Sequence, residues 1–149
     1  MNKKKILPPT IFWLSLILSV GLHFLLPVKK VIVAPYKYIG ILLICAGILL
    51  NLWADRLFKH KQTTVKPFEK SSFLIEEGPF KFSRNPMYLG MAAMLLGMSI
   101  LLGTVTPFIV PVVFCILVRI VFISAEEIDL ENVFGQEFLE YKKRIRRWL

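Results

Sequence analysis

"NPMYLGMAAMLLGMSILLGTVTPFIVPVVFCILV", residues 85–118, is a run of 34 positions without Asp, Glu, Lys, Arg or His. A helix crosses a bilayer with about 20 mostly apolar residues. This run is too long for one crossing and is broken by "GTVTP" at 103–107, so it reads as two helices joined by a tight turn. Two further apolar runs precede it. "TIFWLSLILSVGLHFLLPV" (10–28) is uncharged when His23 is neutral, and "YIGILLICAGILLNLWA" (38–54) has no charge at all. Four spans follow, at about 8–27, 38–55, 86–102 and 106–124, with a tail at 126–149. The expected fold class is all-α: one polytopic membrane helix bundle of four transmembrane helices with a C-terminal amphipathic cytosolic helix.

The basic start "MNKKK" resembles a secretory leader. The apolar part is long for one, and no small-x-small cleavage site precedes "PVKK", so the first span is expected to be retained. Lys and Arg near helix ends set orientation. Lys3, Lys4 and Lys5, then Arg56, Lys59, Lys61, Lys66, Lys70, Lys81 and Arg84, then Lys142, Lys143, Arg144, Arg146 and Arg147 all fall on one side of a four-span chain. Only Lys29, Lys30 and Lys37 fall on the other. An integral membrane protein with both termini cytoplasmic is expected.

The formal charge of +9 then reads as a basic rim facing anionic membrane lipids, worth about 1 kcal/mol per residue near the surface. No zinc spacing, ribonucleoprotein motif or basic recognition helix points to nucleic acid. Cys45 and Cys115 lie inside expected spans and read as small packed residues, and no Cys/His cluster suggests a metal.

Polar groups gather where the spans meet the cytosol. Asn85 and Pro86 read as an N-cap and first helical residue. With the hairpin turn centred near residue 105, facing positions sum to about 210, which sets Tyr88 opposite Phe122 and Arg84 opposite Glu126. Arg119 precedes Glu126 by seven residues, nearly two α-helical turns, so the two share a face. A charged residue inside a span marks a functional site, or it snorkels to the headgroups. Both readings of Arg119 stand. Asn51 and Asp55 read either as site residues or as a solvated helix end. Met87, Met91, Met94 and Met98 lie at helical spacing and read as packing residues. His23 reads as an interfacial residue. The segment 56–84 is polar at first, and its second half, "SSFLIEEGPFKF" (71–82), reads as coil with one turn of helix. In the tail, Phe134, Phe138, Tyr141, Ile145 and Trp148 recur at steps of four and three, an amphipathic helical stripe, with Gly135 bending it away from the helix before it.

"GPFKFSRNPMYLG" (78–90) followed by "EEIDLENVFGQEFLEYKKRI" (126–145) resembles the integral-membrane methyltransferases of the isoprenylcysteine carboxyl methyltransferase and phospholipid N-methyltransferase superfamily. The resemblance spans roughly half the chain, with two motifs in the right order. It implies an enzyme that uses S-adenosyl-L-methionine without a Rossmann fold, in keeping with the lack of a strand-GxGxxG-helix signature. Carried over by position, Asn85, Pro86, Met87 and Tyr88 match the stretch that contacts the cofactor, and Glu126 and Glu127 match the carboxylate pair that holds it. Cys45, Ala46 and Gly47 match a small-residue turn that touches it. A carboxylate pair would balance the cofactor's ammonium and sulfonium, an aromatic such as Tyr88 can face a cation, and a glycine permits close backbone approach.

The chain departs from the prenylcysteine enzymes, which have His at the Asn85 position and a basic residue about one turn before the Glu pair; here Arg119 stands two turns before. The implied acceptor is lipophilic, an isoprenylcysteine-type carboxylate or another lipid or small apolar molecule. Arg119 is the candidate that orients it and Glu127 the candidate base. Two other readings remain open: a membrane protein that keeps the motif without activity, and a small four-helix exporter. An exporter needs an acidic residue within a span, and only Asp55, at the edge of the second, qualifies.

Overall fold

The computed structural model describes residues 7–60 and 73–149. Lys3, Lys4, Lys5, Lys61, Lys66 and Lys70 lie outside the described residues, as does the middle of the segment 56–84.

Helix α1 (Pro8–Leu25) begins on Pro8, whose missing N–H costs nothing at a helix start. α2 (Ile39–His60) runs five residues past the expected span and takes in Arg56 and Lys59. Phe80 lies in a single turn, Gly78–Lys81, which leads into α3 (Pro86–Leu102). Gly103 closes α3 with a left-handed φ of 74°, a conformation glycine adopts without a Cβ clash. A short turn at Thr106–Phe108 then opens α4 (Ile109–Val118). α4 passes through a π turn (Arg119–Ile123) directly into α5 (Ser124–Phe134). Residues 126–134, expected in the tail, thus continue the last spanning helix. Gly135, at φ 52° and ψ −120°, breaks the chain as expected and starts α6 (Gln136–Arg144).

Three helical stretches, Pro8–Leu25, Tyr36–His60 and Thr106–Phe134, are long and apolar enough to cross a membrane, and the 17-residue α3 is a shorter apolar helix. Together they form an antiparallel bundle. At one end, loop residues 28–32 pair with the α3–α4 turn through Val31 N–H to Gly103 O (2.8 Å) and Val105 N–H to Lys29 O (3.0 Å). His23 Nδ1 lies 2.9 Å from Thr104 Oγ1 there and ties α1 to that turn. The other end gathers the start of α1, the end of α2, residues 75–88 and the chain after Ile123. Large apolar residues such as Trp13, Ile17, Leu42, Leu49, Val112, Ile116 and Ile120 are exposed around the bundle, more apolar surface than a protein in water leaves bare. The protein is an integral membrane protein with a polytopic helical fold.

The tightest packing joins α2 to α3. A Cβ on Gly47 would fall 2.5 Å from Gly90 O, and one on Gly97 2.6 Å from Gly40 O. The two glycine pairs are seven residues apart on each helix, so one face of α2 lies backbone to backbone on α3. In lipid, where no hydrophobic force drives helices together, small residues provide such contact. A second core joins Phe12, Tyr88, Leu95, Phe114, Val118, Phe122 and Ile123.

Candidate active site

Tyr88 and Phe122 stack with ring centroids 6.3 Å apart, as the hairpin register expects. The Tyr88 hydroxyl donates to Glu126 Oε1 at 2.7 Å. Arg84 meets not Glu126 but its neighbour: Arg84 Nη2 is 3.1 Å from Glu127 Oε1, and both side chains are 9% exposed. The reason is the π turn. It holds more residues per turn than an α-helix, so the phase counted from Arg119 is lost by residue 126. Arg119 is accordingly exposed, which corrects the expectation that it shares a face with Glu126. Its carbonyl accepts from Ser124 Oγ at 2.8 Å.

Glu127 carries a second partner. Arg147 donates from Nε to Oε1 (3.0 Å) and from Nη2 to Oε2 (2.5 Å), a bidentate fork. Hydrogen bonding to Glu127 pushes the Arg147 guanidinium up from its ordinary value. Arg147 reaches this point because the expected tail stripe stops short. α6 ends at Arg144, Ile145 turns extended at φ −116° and ψ 131°, and the following residues lie along 83–85. Arg84 N–H donates to Arg146 O (3.0 Å) and Asn85 Nδ2 to Arg147 O (3.0 Å). Asn85 does occupy the N-cap position of α3, but no side-chain capping bond forms. Within α6, Phe138 and Tyr141 are buried, and Tyr141 Oη donates to Phe80 O at 2.8 Å.

Pro86 and Tyr88 are buried and Met87 is half-buried. Met87 lines a groove of about 510 Å³ between α1, α2 and α3 with Met91, Met94 and Met98, closed across by Phe12 and Trp13 and flanked by Asn51 and Asp55. Met87, Met91 and Met94 pack against the two buried clusters, as expected, and with Met98 they also form a wall of the groove. Asn51 Nδ2 donates to Gly47 O (2.9 Å), and Asp55 pairs with Lys59 at 2.6 Å. The small-residue turn in α2 is placed differently from the expectation. Cys45 and Ala46 are exposed, Cys115 is half-buried, and α3 takes the space that Gly47 leaves.

The structure thus unites Arg84, Tyr88, Glu126, Glu127 and Arg147 and leaves Cys45, Ala46 and Arg119 outside. Arg147 is one of five basic residues in the tail, and nothing in the local pattern singles it out. Only the reversal at Gly135 and the extended exit at Ile145 select it.

A bundle of apolar helices with a carboxylate–guanidinium cluster at one end defines a membrane protein with a built polar site. A family model described as phospholipid methyltransferase matches residues 36–137, and the chain belongs to that family. At the level of class it is a membrane methyltransferase. It is also 35% identical over 63 residues, 42% of this chain and 100% of the relative, to an uncharacterized protein of Haemophilus influenzae. No solved structure matches the chain.

Proposed function

We propose that the protein transfers a methyl group from S-adenosyl-L-methionine to a lipophilic acceptor lying in the groove beside α3, with the polar cluster on the cytosolic side of the membrane. The observation that carries this reading is Glu126. Among the described residues it accepts only from Tyr88, it is half-buried, and it keeps lone pairs for a cationic ligand. Glu127 differs: both its oxygens accept from guanidinium donors, which suits an anchor rather than the base.

The cofactor, when bound, supplies a methyl group on a sulfonium. The residues of the chain do the rest. Glu126 compensates positive charge, Tyr88 holds that carboxylate in place, and Asn85, Pro86 and Met87 set the start of α3 against it. The apolar groove excludes water and lines the acceptor up, and such positioning accounts for much of the rate in a direct displacement. An ionised carboxylate acceptor needs no base. An amine acceptor must lose a proton before or during the transfer.

Calorimetry with S-adenosylmethionine in detergent tests the cofactor, and a radiolabelled methyl group traced in membranes identifies the acceptor. Absence of cofactor binding by the folded protein rejects the reading and returns the chain to a non-catalytic relative of the family.

A further inference from the structure

Helix α6 is fastened to the bundle by its own contacts. Phe138 and Tyr141 are buried, Tyr141 Oη donates to Phe80 O at 2.8 Å, and Arg144 Nη2 pairs with Glu76 Oε2 at 2.6 Å. The extended residues after it are held elsewhere. Arg146 O and Arg147 O accept from Arg84 N–H and Asn85 Nδ2. The Arg147 fork closes on Glu127, and Trp148 packs against the buried cluster that contains Tyr88 and Phe122. Residues 145–149 can therefore leave the site by turning at Ile145 while α6 stays docked.

Their hold is one the protein can release. Arg84 also pairs with Glu127, at 3.1 Å, so that carboxylate keeps a cation when Arg147 departs. No unpaired buried charge is created, which would be the costly outcome. The Arg147 side chain is 29% exposed, so water reaches its guanidinium. What the segment brings to the site is a cation at the carboxylate next to Glu126 and an aromatic ring against the cluster beside it. S-adenosylmethionine offers the same two chemistries, a cationic end and an adenine. We infer that residues 145–149 form an autoinhibitory strap, which fills the site with Arg147 and Trp148 and must leave before the cofactor binds. This rests on the proposed use of S-adenosylmethionine.

A site open for part of the time binds its ligand more weakly in proportion to that fraction, so loosening the strap should tighten binding. Calorimetry with S-adenosylhomocysteine on the full chain in detergent reads this. Arg147→Gln is expected to bind about tenfold to a hundredfold more tightly than wild type, the worth of the charge-assisted contact that closes the strap. An Arg147 that helps to build the cofactor site would give weaker binding when replaced, and equal or weaker binding overturns the inference. Wild-type protein supplies a second reading, whether or not the variant folds. Saturating S-adenosylhomocysteine is expected to speed trypsin cleavage after Arg146 and Arg147, followed by mass spectrometry, because the displaced segment is free. Unchanged or slower cleavage overturns the strap. Binding of the compound to neither protein removes the cofactor reading, and the strap with it.

Discussion

Glu126 and Glu127 are neighbours in sequence with different surroundings, one facing a tyrosine hydroxyl and the other two guanidinium groups. Glu126→Gln is expected to weaken cofactor binding about tenfold to a hundredfold, because a charge-assisted contact is lost; unchanged affinity in calorimetry would place Glu126 outside the site. Arg119 is exposed, so Arg119→Lys should leave cofactor affinity and methyl transfer near wild type. Lys does not replace the planar fork of an orienting Arg, and a large loss of turnover would bring Arg119 back to the acceptor. At this scale the sequence was legible wherever helical phase holds. Tyr88 finds Phe122 because regular turns carry the register across the hairpin. Arg119 loses Glu126 because one π turn resets it, and no residue in "RIVFI" (119–123) announces that turn.

Glycine pairs decide how α2 and α3 meet. Gly47→Ala places a methyl group against the Gly90 carbonyl, and overpacking of this kind costs about 1–3 kcal/mol. A lower thermal midpoint in detergent is expected. Gly21→Ala, whose added Cβ meets nothing within 4 Å, is the matched control and should be neutral or mildly stabilising. In α6, burial pushes the Tyr141 phenol above its ordinary value of 10.0. The folded protein then holds a proton that the unfolded chain has released, so stability falls as pH rises above about 10. Below that pH the contribution is intact. Tyr141→Phe should lack this tyrosine's share of the alkaline loss, seen as a shallower slope of unfolding free energy against pH. The lengths of α1 and α3 were legible from apolar runs and prolines. The continuation of α4 into α5 was not, because "SAEEIDLENVF" (124–134) is polar enough to read as tail while its backbone stays helical.

Across the whole molecule, the polar cluster and the methionine-lined groove adjoin through Met87 and Met91, which lie in the groove wall on either side of Tyr88. If the groove holds the acceptor, Ile48→Trp should raise the apparent KM for a lipid acceptor while leaving cofactor affinity unchanged, measured on one preparation. Equal effects on both would mean that the groove and the cofactor site are not separate. The groove was not legible beforehand, since methionines at helical spacing look the same whether a neighbour covers them or not.

The paired glycines have a mechanical consequence. With their backbones in contact at two levels, α2 and α3 behave as a fixed jamb, and neither can retreat without parting both pairs. The opposite wall comes from α1, through Pro9, Phe12, Trp13 and Leu16. That wall is itself anchored, by Phe12 set edge-on against Phe114 and by His23 against Thr104 at the far end of the bundle, so the width of the slot is a fixed dimension of the fold.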